Sequence, residues 1–171
     1  KNKTMKKRVF IIHGWDGFPE EGWFPWLKKE LENRGFYVEV PALPETAQPK
    51  IKEWVTFLSK LVKKADKNTY FVGHSIGCQA ILRYLQTINE EVGGVIFVAG
   101  WFNLKNLETK EEKEIAKPWL ETPINFGKIK KTTSHFIAIF SDNVPFVPPT
   151  DSNIFKEKLN AKIIVEKNRG H

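Results

Sequence analysis

Gly73-His74-Ser75-Ile76-Gly77 is the stretch of this chain in which chemistry is most easily placed. The serine has a glycine two residues to either side. Tyr70-Phe71-Val72 before it reads as a short buried strand, and Ile76, Ala80, Ile81, Tyr84, Leu85 and Ile88 after it recur at helical spacing. A serine on a sharp strand-to-helix turn is the device that projects a nucleophilic hydroxyl from the end of a sheet. Its backbone is strained, and glycines at the flanks remove side chains that would collide. The helix behind it offers unpaired N–H groups and the positive end of a dipole. The plainer alternative is a serine capping the helix in an ordinary turn. The strand before and the helix after favour the nucleophile.

A nucleophilic serine needs a base within hydrogen-bond reach, and the base needs an orienting carboxylate. The chain has four histidines. His13 ends the first apolar run and more naturally shapes the turn there. His74 sits inside the elbow with its ring pointing away from the serine oxygen, and His135 opens a later strand. His171 follows Gly170 after the last strand, and it alone fits the chain order serine, acid, histidine that accompanies this type of elbow. The acid is expected after the fifth strand, in Ser141-Asp142-Asn143-Val144-Pro145, where Asp142 is the candidate. Its plainer reading is a turn residue at a strand end. Asp151 is the reserve, although it looks more like a helix N-cap.

The transition state of acyl transfer also needs donors for an oxyanion. One is expected from the backbone N–H of Ile76. The second is expected from Trp15 in the His13-Gly14-Trp15 loop after the first strand. Trp15, Trp101, Phe102 and Trp119 are candidates to line an apolar substrate pocket, against ordinary core packing as the alternative. The scheme requires no metal or organic cofactor. With one cysteine, Cys78, the chain can form neither an internal disulfide nor a cysteine-type zinc site.

Those residues must be positioned by a scaffold, and the pattern supplies one. Val9-Phe10-Ile11-Ile12 reads as a first strand. Trp23, Trp26, Leu27 and Leu31 mark a helix over 23–34, with Pro25 in its first turn and Gly35 past its end. A second strand over 36–40 precedes a loop punctuated by Pro41, Pro44 and Pro49. Ile51, Trp54, Val55, Leu58, Leu61 and Val62 form the clearest amphipathic helix. Strands are expected over 70–72, 95–99, 136–140 and 162–165, with a helix over 151–160. Residues 101–131 are less regular and are expected to hold short helices covering one end of the sheet. Strands alternating with helices imply βαβ units, and so an α/β fold with a mainly parallel six-stranded sheet and helices on both faces.

A length of 171 residues suits one domain over 1–171, and 41% hydrophobic residues with six Trp and thirteen Phe exclude a disordered chain. Residues 1–8 read as a flexible or tag-derived lead. The apolar run behind them is too short for a signal peptide, and 93–104 is too short to span a bilayer. These features and the lone cysteine predict a cytoplasmic protein with no membrane partner. The net charge of +7 raises nucleic-acid binding. The lysines, however, are scattered among glutamates, as in Lys28-Lys29-Glu30, so no nucleic-acid partner is expected.

Taken together, these segments resemble the small serine hydrolases of the YdeN and retinoblastoma-binding protein 9 family. The resemblance spans nearly the whole chain. Residues 9–14 resemble the opening strand and glycine turn, Gly22-Trp23-Phe24-Pro25-Trp26-Leu27-Lys28 the tryptophan-rich first helix, and residues 69–85 the elbow. Gly170-His171 resembles the base loop. The resemblance implies a compact α/β-hydrolase fold lacking the two leading strands of larger relatives. It also implies hydrolysis of small carboxylic esters or activated amides. Two features depart from the family pattern. Aligned on Phe146-Val147-Pro148, the positions of the family's aspartate pair hold Asn143 and Val144, so Asp142 lies two residues before the usual acid. A helix that normally closes the fold after the base loop is expected to be absent beyond His171. The altered acid loop keeps open an alternative function, a protein-interaction module with a protein partner on a weakly active or inactive hydrolase scaffold.

Overall fold

Side-chain alternation along the first strand sets the layering of the molecule. In the computed structural model, which describes residues 6–143 and 150–167, β1 runs over Arg8–Ile12. Val9 and Ile11 point to one face and Phe10 and Ile12 to the other, and all four are buried. A strand buried on both faces belongs in the middle of a parallel sheet. The strand starts one residue earlier than the apolar run suggests. Arg8, expected to lie in a flexible lead, donates through its guanidinium to the carbonyls of Val62 and Lys64 at 3.0 and 2.7 Å.

The chain continues through α1 (Phe24–Asn33), β2 (Tyr37–Glu39), α2 (Ile51–Val62), β3 (Thr69–His74), α3 (Ile76–Leu85) and β4 (Gly94–Val98). It ends with α4 (Lys110–Glu121), α5 (Phe126–Lys130), β5 (Phe136–Ser141), α6 (Asp151–Leu159) and β6 (Lys162–Glu166). The six strands pair in the order β2-β1-β3-β4-β5-β6, and every pairing is parallel. Val9, Ile11, Val72 and Phe24 form one core layer, with Leu27 and Leu31 of α1 packed against it. Phe10, Ile12, Phe71 and Phe97 form the other, with Trp54 and Leu58 of α2 and Ile81 and Tyr84 of α3. Each such fully buried apolar side chain contributes about 1.5–3 kcal/mol. Helices therefore cover both faces, as the sequence pattern implies.

Three boundaries shift for local reasons. α3 stops at Leu85, short of Ile88, because Thr87 turns back to the Tyr84 carbonyl through both its hydroxyl (2.6 Å) and its N–H (2.9 Å). β4 ends before Ala99, which takes a left-handed backbone conformation (φ 52°). Residues 101–131 contain the twelve-residue α4, longer than the short helices expected. Its start is fixed by a capping box in which Thr109 and Glu112 satisfy each other's backbone N–H groups.

In this strand order β1 and β3 are neighbours, and the helices that follow them, α1 and α3, pack on opposite faces. A crevice opens at such a switch point, beyond the carboxyl ends of the strands. The loop after β1 and the elbow after β3 meet there.

Candidate active site

Ser75 links β3 directly to α3 with φ 58° and ψ −125°, outside the regions that L-residues favour. The surroundings fix this conformation. The Ser75 N–H donates to the Val98 carbonyl at 3.0 Å, and its own carbonyl accepts from the Cys78 N–H at 3.0 Å. Two residues on, a Cβ built on Gly77 would lie 2.4 Å from the Ile12 carbonyl oxygen and 2.6 Å from that of His13. The first turn of α3 is thus pressed against the end of β1, an approach open only to glycine. The Ser75 side chain makes no hydrogen bond capping α3, so the simple N-cap reading fails.

The β1 loop meets this elbow closely. A Cβ on Gly14 would lie 3.0 Å from the Ser75 Cβ and 3.5 Å from its Oγ. His13 holds the loop in shape. Its Nε2 accepts from the Leu43 N–H at 3.0 Å, which leaves Nδ1 protonated to donate to the Gly14 carbonyl at 2.9 Å. Burial lowers the His13 pKa and keeps the ring neutral. This agrees with the structural role read from the sequence. Among the described residues, neither the Trp15 nor the Ile76 backbone N–H donates a hydrogen bond; Ile76 follows Ser75 directly, and Trp15 shares a cavity lining with it.

Above Ser75 lies a cavity of about 590 Å³. Gly14 and Ser75 lie in its lining with Trp15, Trp101, Leu104 and Ile115, and Asp16, Glu21, Glu111 and Glu112 bring four carboxylates. The indole N–H of Trp101 donates to Ser75 Oγ at 3.2 Å. Two of the expected pocket residues lie elsewhere. Phe102 packs on Phe126 and Phe155, with ring centroids 5.5 and 4.6 Å away. Trp119 is buried against Trp54 and donates its indole N–H to the Pro49 carbonyl at 2.9 Å. Trp119 is a core residue, and Phe102 is half-buried and packs against the core, so neither lines this cavity.

The remaining histidines and acids sort by position. His135 is exposed at the amino end of β5, the opposite edge of a parallel sheet from Ser75. His74 packs edge-on against Trp23 and Phe24. His171 lies outside the described residues, as do Val144 and the segment 146–148. Asp142 follows β5 on the same sheet edge as Ser75, and its N–H donates to the Glu166 carbonyl at 3.0 Å. The end of β6 therefore lies beside the candidate acid. Asp151, the reserve, is not an N-cap. It is the first residue of α6, and its carboxylate accepts from the N–H groups of Phe102 (2.7 Å) and Asn103 (2.9 Å) and from the Asn103 amide (2.9 Å). It is committed to fastening the loop after β4.

The sequence reading missed the buried polar pair Gln79 and Arg83. Every residue of α3 is buried, so these two polar groups must find partners inside. Two polar side chains four residues apart on an otherwise apolar helix were the available signal.

The match to known proteins agrees with this geometry. The sequence profile of the serine hydrolase family covers residues 9–171, and the chain belongs to that family. It is 32% identical to YdeN of Bacillus subtilis over 169 residues, covering 98% of this chain and 86% of YdeN. It is 28% identical to the serine hydrolase RBBP9 of Rattus norvegicus, covering 88% of this chain and 77% of the relative. The crystal structure of the B. subtilis ydeN gene product superposes with a TM-score of 0.87 at 30% identity, covering 97% and 88% of the two chains. Est1E of Butyrivibrio proteoclasticus shares the fold at 16% identity, with a TM-score of 0.75 over 99% and 81%. The architecture is that of the α/β-hydrolases. Among the described residues no helix is long and apolar enough to cross a membrane.

Proposed function

We propose that the protein hydrolyses small carboxylic esters or activated amides through an acyl-enzyme on Ser75. The observation that carries this reading is Ser75 itself. It is held at φ 58° on the switch-point edge of the sheet and opens into a cavity of about 590 Å³.

In this scheme Ser75 Oγ attacks the acyl carbonyl while His171 accepts its proton, with Asp142 orienting the imidazole. The oxyanion is held by the backbone N–H groups of Trp15 and Ile76, the second strengthened by the amino end of α3. Collapse expels the alcohol or amine, and water then cleaves the acyl-enzyme. The scheme is supported by the free Trp15 and Ile76 donors near the cavity and by Asp142 lying on the same sheet edge as Ser75. Trp15 and Trp101 offer an apolar wall for the acyl group.

The test is covalent. A fluorophosphonate should form one adduct, located on Ser75 by peptide mass spectrometry, and Ser75→Ala should lose both labelling and ester turnover. A folded wild-type sample that is not labelled at Ser75 would overturn the reading.

A further inference from the structure

Trp101 touches the nucleophile, and the molecule spends several buried polar contacts on keeping it there. Its backbone carbonyl accepts from the Gln79 side-chain amide at 3.1 Å. The Gln79 oxygen accepts from Arg83 Nε at 3.0 Å. Arg83 donates onward to the carbonyls of Trp119 and Thr122, at 3.1 and 2.9 Å, where α4 ends. No carboxylate pairs with this guanidinium among the contacts of the described residues, and burial lowers its pKa to about 10, so it stays charged at neutral pH. On the other side of Trp101, the next two backbone N–H groups are held by Asp151. Trp101 is 2% exposed and is therefore fixed by its carbonyl, by the following peptides and by its indole.

We infer that Trp101 is a catalytic residue whose indole N–H assists the departure of Ser75 Oγ from the acyl-enzyme, with Gln79 and Arg83 as positioning residues. This rests on the hydrolase reading above. In deacylation, water adds to the acyl carbon and gives a proton to His171. The C–Oγ bond of the tetrahedral adduct then breaks. Its electron pair goes to Oγ, and the His171 imidazolium returns the proton to the same oxygen. In the acyl-enzyme Oγ is an ester oxygen, a poor acceptor. As the bond breaks Oγ gains charge, and the Trp101 hydrogen bond strengthens. An interaction stronger in the transition state than in the ground state accelerates the step. In the free enzyme the hydroxyl oxygen already accepts from Trp101, so acylation gains little.

The experiment separates the two half-reactions on the full chain with p-nitrophenyl acetate. The stopped-flow burst reads acylation, the steady state reads deacylation, and intact mass reads acetyl-Ser75. Trp101→Phe keeps the ring and removes the donor. It is expected to slow deacylation about tenfold or more, the worth of a hydrogen bond to a charged group, with acylation within about threefold. Acetyl-enzyme then accumulates. Gln79→Met keeps the indole but unties its backbone, and is expected to show the same split with smaller size. It also carries the test if Trp101→Phe does not fold, as judged by thermal melting. Unchanged deacylation in the folded variants, or burst and steady state falling together as in a packing defect, overturns the inference. A wild type that forms no acetyl-Ser75 overturns the hydrolase reading and this inference with it.

Discussion

Gly77→Ala places a methyl group in backbone that cannot rotate away. The new Cβ would sit 2.4 Å from the Ile12 carbonyl oxygen, 2.6 Å from the His13 oxygen and 3.0 Å from the Ile12 carbonyl carbon. Ordinary contact starts near 3.4 Å, so relief requires about 1 Å of separation between the first turn of α3 and the end of β1. Overpacking usually costs about 1–3 kcal/mol. With three backbone atoms in the way, the upper end is expected, about 3 kcal/mol. For a domain of this size that lowers Tm by roughly 6–12 °C. The same 1 Å moves the Ile76 N–H and Ser75 away from the β1 loop, and misplacement on that scale can cost about 10²-fold in rate. The assay pairs thermal melting with the rate of fluorophosphonate labelling. Gly127→Ala is the control, because its Cβ would meet only the Asn125 side-chain oxygen, at 3.6 Å. If Gly77→Ala melted within about 2 °C of wild type and labelled at the wild-type rate, the packing account of the elbow would be wrong.

Three further outcomes are expected. Asp142→Ala should lower ester turnover by about 10⁴ if this carboxylate orients the base; an unchanged rate rejects it as the acid. Asp151→Ala should destabilise the fold by at least about 3 kcal/mol in urea titration, because it strands two backbone donors and the Asn103 amide; an unmoved midpoint would contradict the anchoring role. His13 is held neutral, with its pKa below that of the unfolded chain. The unfolded state therefore binds the extra proton first. The stabilisation is fully present above about pH 6.5 and is lost as pH falls towards the folded value. His13→Gln should flatten the change in urea midpoint between pH 7 and pH 5; an equally steep loss in the variant would assign the acid sensitivity elsewhere.

Much of the scaffold was legible because local signals agreed with one another. The β-branched apolar run at 9–12, the amphipathic spacing from Ile51 to Val62 and the glycines around Ser75 each specify an element without reference to the rest of the chain. Where the reading slipped, a distant partner decided. Arg8 belongs to the sheet because carbonyls at Val62 and Lys64 receive it. Asp151 looked like a local cap, yet its carboxylate is taken by amides nearly fifty residues away, at Phe102 and Asn103. Phe102 and Trp119 looked like pocket aromatics because composition does not show which way a ring faces.

The elbow follows the same division. The residue types at 73–77 determine that a serine can occupy a strained turn between strand and helix, because glycine alone tolerates the close approach. The identity of its neighbours was decided by folding. The β1 loop reaches Ser75 because β1 and β3 pair across the switch point. Trp101 reaches Ser75 Oγ because Gln79, Arg83 and Asp151 hold its loop in place. Sequence spacing fixes contacts within a turn of chain, whereas contacts between segments depend on which faces are buried together.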